Sequence, residues 1–147
     1  MIRFAYTLRS HGWARAVVGN ENAEASLTAS YLSDALSDFV DGVQELFAND
    51  SAECIWQQEP GEFHWKFRRV GVRCVVAVFW NGEKKPIFSG EDDLLHFSSQ
   101  VADTLLRLLD EHGEKAYLET WGYPFPHEAD RKLRQAITVE RKRTDPQ

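Results

Sequence analysis

Asp34, Asp38, Asp41 and Glu45 recur at steps of four, three and four residues. On an α-helix that spacing stacks side chains on one face, so these carboxylates would form an acidic wall. Such a wall suits a cationic protein surface, because charge complementarity speeds encounter and selects partners. A second set is basic. Lys66, Arg68, Arg69 and Arg73 crowd one turn with His64 beside them, and Arg131, Lys132, Arg134, Arg141, Lys142 and Arg143 follow near the C-terminus. The first cluster could clamp an anion or a nucleic-acid backbone. In a chain of net charge −6, its ordinary reading is a solvated sheet face or pairing with the acidic helix. The third feature is the aromatic segment Trp121-Gly122-Tyr123-Pro124-Phe125-Pro126. Trp121, Tyr123 and Phe125 suit either the lining of a pocket or interface, or a plug that seals one end of a sheet.

Other chemistries lack their signatures. None of the five histidines stands at i, i+4 from another, the helical spacing that brings two rings to one metal ion. Glu91, Asp92 and Asp93 precede an apolar run and read as acids complementing a helix N-terminus rather than as a cation site. Cys54 and Cys74 lie among apolar residues, as reduced buried thiols do. There is no Gly-x-Ser-x-Gly elbow and no glycine-rich phosphate cradle ahead of a helix. No catalytic residue, metal or cofactor is assigned from the sequence.

The elements that must hold these residues are legible from periodicity. Residues 53–58, 63–69 and 72–80 read as consecutive strands. In the second of them Phe63, Trp65 and Phe67 alternate with His64, Lys66 and Arg68. Glu59-Pro60-Gly61-Glu62 and Asn81-Gly82 carry turn chemistry. Residues 85–89 hold Pro86, which cannot donate to a ladder, and are expected as an edge strand. Residues 2–8 and 13–18 form a hairpin pair, whereas 23–28 are ambiguous between a short strand and an extended lead into a helix. Helix one is expected over residues 31–48, with Ser30 as N-cap and Leu32, Leu36, Phe39, Val43, Leu46 and Phe47 as its apolar stripe. Helix two follows the acids at 91–93 and runs to about His112. Gly113 ends it and a helical turn spans 114–120. A last helix covers 127–140, and residues 141–147 read as a frayed polar tail.

Strands, helix, strands, helices, with turns too short for parallel crossovers, specify an α+β fold. The expectation is a mainly antiparallel sheet of about five to six strands, with two long helices and a C-terminal helix packed on one face. A chain of 147 residues suits one domain, residues 1–140, plus the tail. The opening residues hold Arg3 and Arg9 and no sustained apolar run, so no secretory leader is expected and the chain reads as soluble and cytoplasmic. An edge strand at 85–89 leaves open a homodimer by sheet extension.

This layout, with Glu59-Pro60-Gly61-Glu62 before an aromatic strand and Trp121-Gly122-Tyr123-Pro124-Phe125-Pro126 near the end, resembles small uncharacterised bacterial α+β proteins. Some proteins of that build are immunity proteins that neutralise a toxin. The resemblance implies a non-catalytic cytoplasmic domain that binds another protein, here a basic toxin domain met at Asp34, Asp38, Asp41 and Glu45. Two other readings stand beside it. One is an enzyme with a small-molecule pocket between the sheet and residues 121–125, where Arg68 or Arg73 clamps an anion. The other is a nucleic-acid adaptor using the patch from Lys66 to Arg73, which the acidic net charge disfavours.

Overall fold

The computed structural model describes residues 1–144. In chain order the elements are β1 (Arg3–Leu8), β2 (Trp13–Gly19), β3 (Glu24–Ser30), α1 (Ala35–Glu45), β4 (Ser51–Gln57), β5 (Glu62–Val70), β6 (Arg73–Trp80), β7 (Phe88–Asp93), α2 (Leu94–Trp121) and α3 (His127–Thr144). The α+β class and antiparallel pairing are as expected. The sheet is not one but two: a three-stranded meander β1-β2-β3 and a four-stranded meander β4-β5-β6-β7. Alternation along a strand marks its buried face but not its neighbour, so residues 23–28 gave no sign of pairing with β2 (as β3) and closing a separate sheet.

Both sheets turn their rings to one core. Phe39 of α1 sits at its centre, with ring centroids 4.6 Å from Phe4 of β1, 4.8 Å from Trp65 and 5.4 Å from Phe67 of β5, 5.6 Å from Trp56 of β4 and 6.4 Å from Phe97 of α2. Aromatic pairs at these separations add to the stabilisation that area burial alone provides. Gly42 is what lets α1 lie this close. A Cβ there would stand 3.0 Å from Cε2 of the buried Phe67 ring. α2 packs on β1, and α3 lies against α1 and α2 rather than on a sheet face, so the third helix is a second layer and not part of the first.

Several boundaries differ from expectation for identifiable reasons. α1 starts at Ala35, four residues later than its expected start at Tyr31, and its N-cap is Asp34 rather than Ser30. Ser30 is the buried end of β3, so the chain is still extended where a helix is expected to begin, and the Tyr31 carbonyl accepts a 2.7 Å hydrogen bond from the Tyr123 hydroxyl. Leu32 therefore leaves the apolar stripe and is 53% exposed. The edge strand is β7, shifted from residues 85–89 to Phe88–Asp93, so Glu91 and Asp92 are strand residues and not the first turn of a helix. The break at Gly113 occurs as read: φ 74° there kinks α2, a conformation glycine adopts without steric cost. α3 continues to Thr144, through the first residues of the expected tail, and residues 145–147 lie outside the described residues.

Candidate functional site

The acidic residues of α1 are brought beside β4. The connection between the two elements is only residues 46–50, which makes them neighbours in space. Asp38, Asp41 and Glu45 line an open cleft of about 520 Å³, whose other wall is Glu53, Cys54, Ile55 and Gln57 of β4 with His64 of β5 behind them. His64 Nε2 stands 3.5 Å from Glu53 Oε1. Glu53, Gln57 and His64 belong to this site and were not among the residues singled out for it. The short α1–β4 connection was the only sequence signal that could have found them.

The carboxylates of the wall do not behave as free aspartates. Burial raises the pKa of Asp38 above 3.8, and the charges of Asp34 and Asp41 add to it. Burial also raises Asp41, opposed by Lys132. The ionised carboxylates are thus held at a cost that comes first from burial and, at Asp38, also from its acidic neighbours.

Asp34, expected as part of this wall, has a different task. Its Oδ1 accepts a 3.0 Å hydrogen bond from Nε1 of the buried Trp121 and a longer one, 3.5 Å, from the Ser37 amide. Burial raises its pKa, while those donors oppose the rise. It caps α1 and ties it to the end of α2.

Of the basic patch, Lys66, Arg68 and Arg73 share one face of the sheet and Arg69 leaves it. Lys66 and Arg68 lie on the wet face of β5, with Lys66 Nζ 5.2 Å from the centre of the Phe79 ring. Arg73 pairs with Glu91 at 3.3 Å and Asp93 at 3.6 Å. Arg69 turns to the other side of the sheet and reaches Glu140. On α3, Arg131 and Arg134 pair with Glu128 and Asp130 of the same helix. The paired cations share rows with acids of their own sheet or helix, while Lys132 of α3 lies close enough to the acidic helix for its charge to be felt at Asp41.

The aromatic segment splits by burial. Trp121 and Phe125 are core residues; Trp121 meets Tyr6 and Tyr123, and Phe125 meets Tyr117. Tyr123 is partly exposed and locks the chain at Tyr31. The pocket beside this segment, about 250 Å³, is lined by His11, Gly12, Tyr31 and residues 119–122, and neither Arg68 nor Arg73 reaches it. The anion clamp expected there is absent from that wall.

Both cysteines are free and buried. Burial pushes the Cys54 thiol far up and the Cys74 thiol up to about 12, so neither is a thiolate nucleophile near neutral pH. Among the described residues no cluster of three or more His, Cys, Asp or Glu could hold a metal ion, and no helix is long and apolar enough to cross a membrane. One polar cluster had no sequence signal. Asp92, 2% exposed, accepts hydrogen bonds from the Ile2 amide at 3.0 Å, the Asp93 amide at 2.7 Å and His96 Nδ1 at 2.6 Å. It anchors the start of β1 to β7, so it is a strut and not a surface acid at a helix start.

No protein-family model matches the chain, and no curated protein or solved structure matches it either.

Proposed function

We propose that this protein is a non-catalytic protein-binding domain that receives a basic partner in the cleft between α1 and β4. The observation that carries the reading is the convergence of Asp38, Asp41, Glu45 and Glu53 on one open cleft, while Arg73, Arg131 and Arg134 are paired with acids elsewhere. A net charge of −6 adds a long-range field of the same sign, which steers a basic protein toward the molecule. In its fuller form the reading is of an immunity-type inhibitor in the cytoplasm that covers a basic toxin domain.

The test compares the wild-type chain with Asp38→Asn/Glu45→Lys, a pair of exposed positions on the cleft wall. A basic protein recovered from the host by reversible cross-linking is expected to bind the wild type and to lose at least about tenfold in affinity with the variant, a change of ~1.4 kcal/mol. Wild-type binding should also weaken as salt is raised. Equal binding by the two chains, or a partner without a basic surface, overturns the reading.

A further inference from the structure

The β4–β5 hairpin is bracketed by main-chain hydrogen bonds from Arg69 to Asp50 (2.7 Å) and from Gln58 to Gly61 (3.0 Å). Both pairs keep the register that sets Cys54 opposite Trp65. In an antiparallel pair, residues that exchange main-chain bonds alternate with residues whose N–H and C=O point away. Ala52, Cys54 and Trp56 therefore bond to β5, and Glu53, Ile55 and Gln57 direct their N–H and C=O outward. β4 is the end strand of its sheet and pairs with no strand on that side among the described residues. The outward residues are the same ones that line the acidic cleft.

β1 is also an end strand, and its outward groups lie at Ile2, Phe4 and Tyr6 by the same parity. There the molecule closes the edge. Asp92 accepts from the Ile2 amide, the Gln100 carboxamide donates to the Ile2 carbonyl and accepts from the Phe4 amide, and Arg107 donates to the Tyr6 carbonyl. Side chains thus do for β1 much of what a neighbouring strand would do, whereas α1 packs beside β4 and, among the described residues, no side chain hydrogen-bonds the outward N–H and C=O groups of Glu53, Ile55 and Gln57. An open edge is a template for another strand.

Resting on the proposal that the cleft takes a basic partner, we infer that the partner enters as an extended segment that adds a strand to the free edge of β4, its cationic side chains alternating toward Asp38, Asp41 and Glu45. The seven residues of β4 offer an edge of roughly 20 Å, enough for a short peptide. Main-chain bonds would supply affinity, and the acid wall would select charge at every second position. A second copy of this chain is the poorer occupant, because β4 against β4 sets Glu53 and the acidic walls of both copies against each other.

The test uses a peptide of about ten residues alternating lysine and threonine, the same peptide N-methylated throughout, and a glutamate–threonine analogue. The protein is the full chain, so no variant has to fold. The lysine peptide is expected to bind, to slow amide exchange at Glu53, Ile55 and Gln57, and to lose at least about tenfold in affinity on methylation. Binding that survives methylation undiminished leaves the acidic cleft standing and overturns strand addition. Equal binding of the glutamate analogue, or no binding of either lysine peptide, overturns this inference. The cross-linking comparison then decides independently whether the cleft proposal falls with it. Protection of the same amides in the protein alone, rising with its concentration as it dimerises, overturns the inference in favour of a second copy.

Discussion

Asp34 shows how one carboxylate can be read correctly in type and wrongly in task. Its spacing put it on the acidic face of a helix, yet it sits at the cap and bonds to Trp121. Replacing it with alanine removes a cap worth about 1 kcal/mol and leaves a buried indole N–H unpaired, a further ~1–3 kcal/mol. Chemical denaturation should show that loss for Asp34→Ala and a much smaller one for Asp34→Asn, which keeps the acceptor oxygen. Asp41 makes a prediction of the opposite sign. Burial raises its folded pKa above 3.8, so the folded chain holds that proton to higher pH than the unfolded chain does. The stabilisation this gives is complete below 3.8 and is lost as pH rises through the folded value. Asp41→Asn should therefore raise the thermal midpoint at neutral pH, and its advantage should vanish in an acid titration taken below 3.8. A gain that is constant with pH would contradict that account.

At the scale of elements, the two sheets differ in how their ends are finished. Gln100 reaches from α2 to β1 and serves the Ile2 carbonyl and the Phe4 amide with one carboxamide. Only one orientation of that amide satisfies both. Gln100→Leu preserves the helix and leaves two main-chain groups without partners, so a loss of about 1–3 kcal/mol is expected. Faster exchange at the Phe4 amide, with the centre of β5 unaffected, would locate the loss at the edge. If Gln100→Leu is as stable as the parent, the carboxamide is not what closes β1. The sequence showed helix two and its apolar stripe, but nothing in it marked Gln100 as bound to a strand 98 residues away. The start of α1 was misplaced for a related reason. The residues from Tyr31 to Ser33 have no local bar to helix, but they follow directly on β3, whose pairing with β2 runs through Ser30.

At the scale of the molecule, Arg69 is the residue on which the layers meet. Its guanidinium donates to Glu140 of α3 at 3.0 Å and to the carbonyls of Leu46 and Phe47, just beyond α1, at 3.3 and 3.4 Å, while Nε reaches Gly71. Glu140 is only 5% exposed. Truncating one member of such a pair strands the other, at about 3–5 kcal/mol for Arg69→Met. The double variant Arg69→Met/Glu140→Leu removes both charges and should recover much of the loss. A loss in the double variant equal to the sum of the losses in Arg69→Met and Glu140→Leu would show that the pair is not coupled. From sequence, Arg69 stood in a basic cluster with Lys66, Arg68 and Arg73. Strand parity alone was enough to separate it from Lys66 and Arg68, since odd positions of β5 face the core.

The amino-acid sequence alone determined what depends on near neighbours along the chain. The alternation of β5, the turns at 59–62 and 81–82, the amphipathic stripes of the helices and the break at Gly113 all follow from residues within a few positions of each other. Only the tertiary structure decided what depends on distant partners: that the strands divide into two sheets, that Asp34 caps rather than faces solvent, that Arg69 pairs with Glu140, and that the acids of α1 stand beside an open edge of β4. The reason is physical. A side-chain period reports which face is dry, but a hydrogen-bonding edge and a charge pair are completed by groups that local pattern does not name.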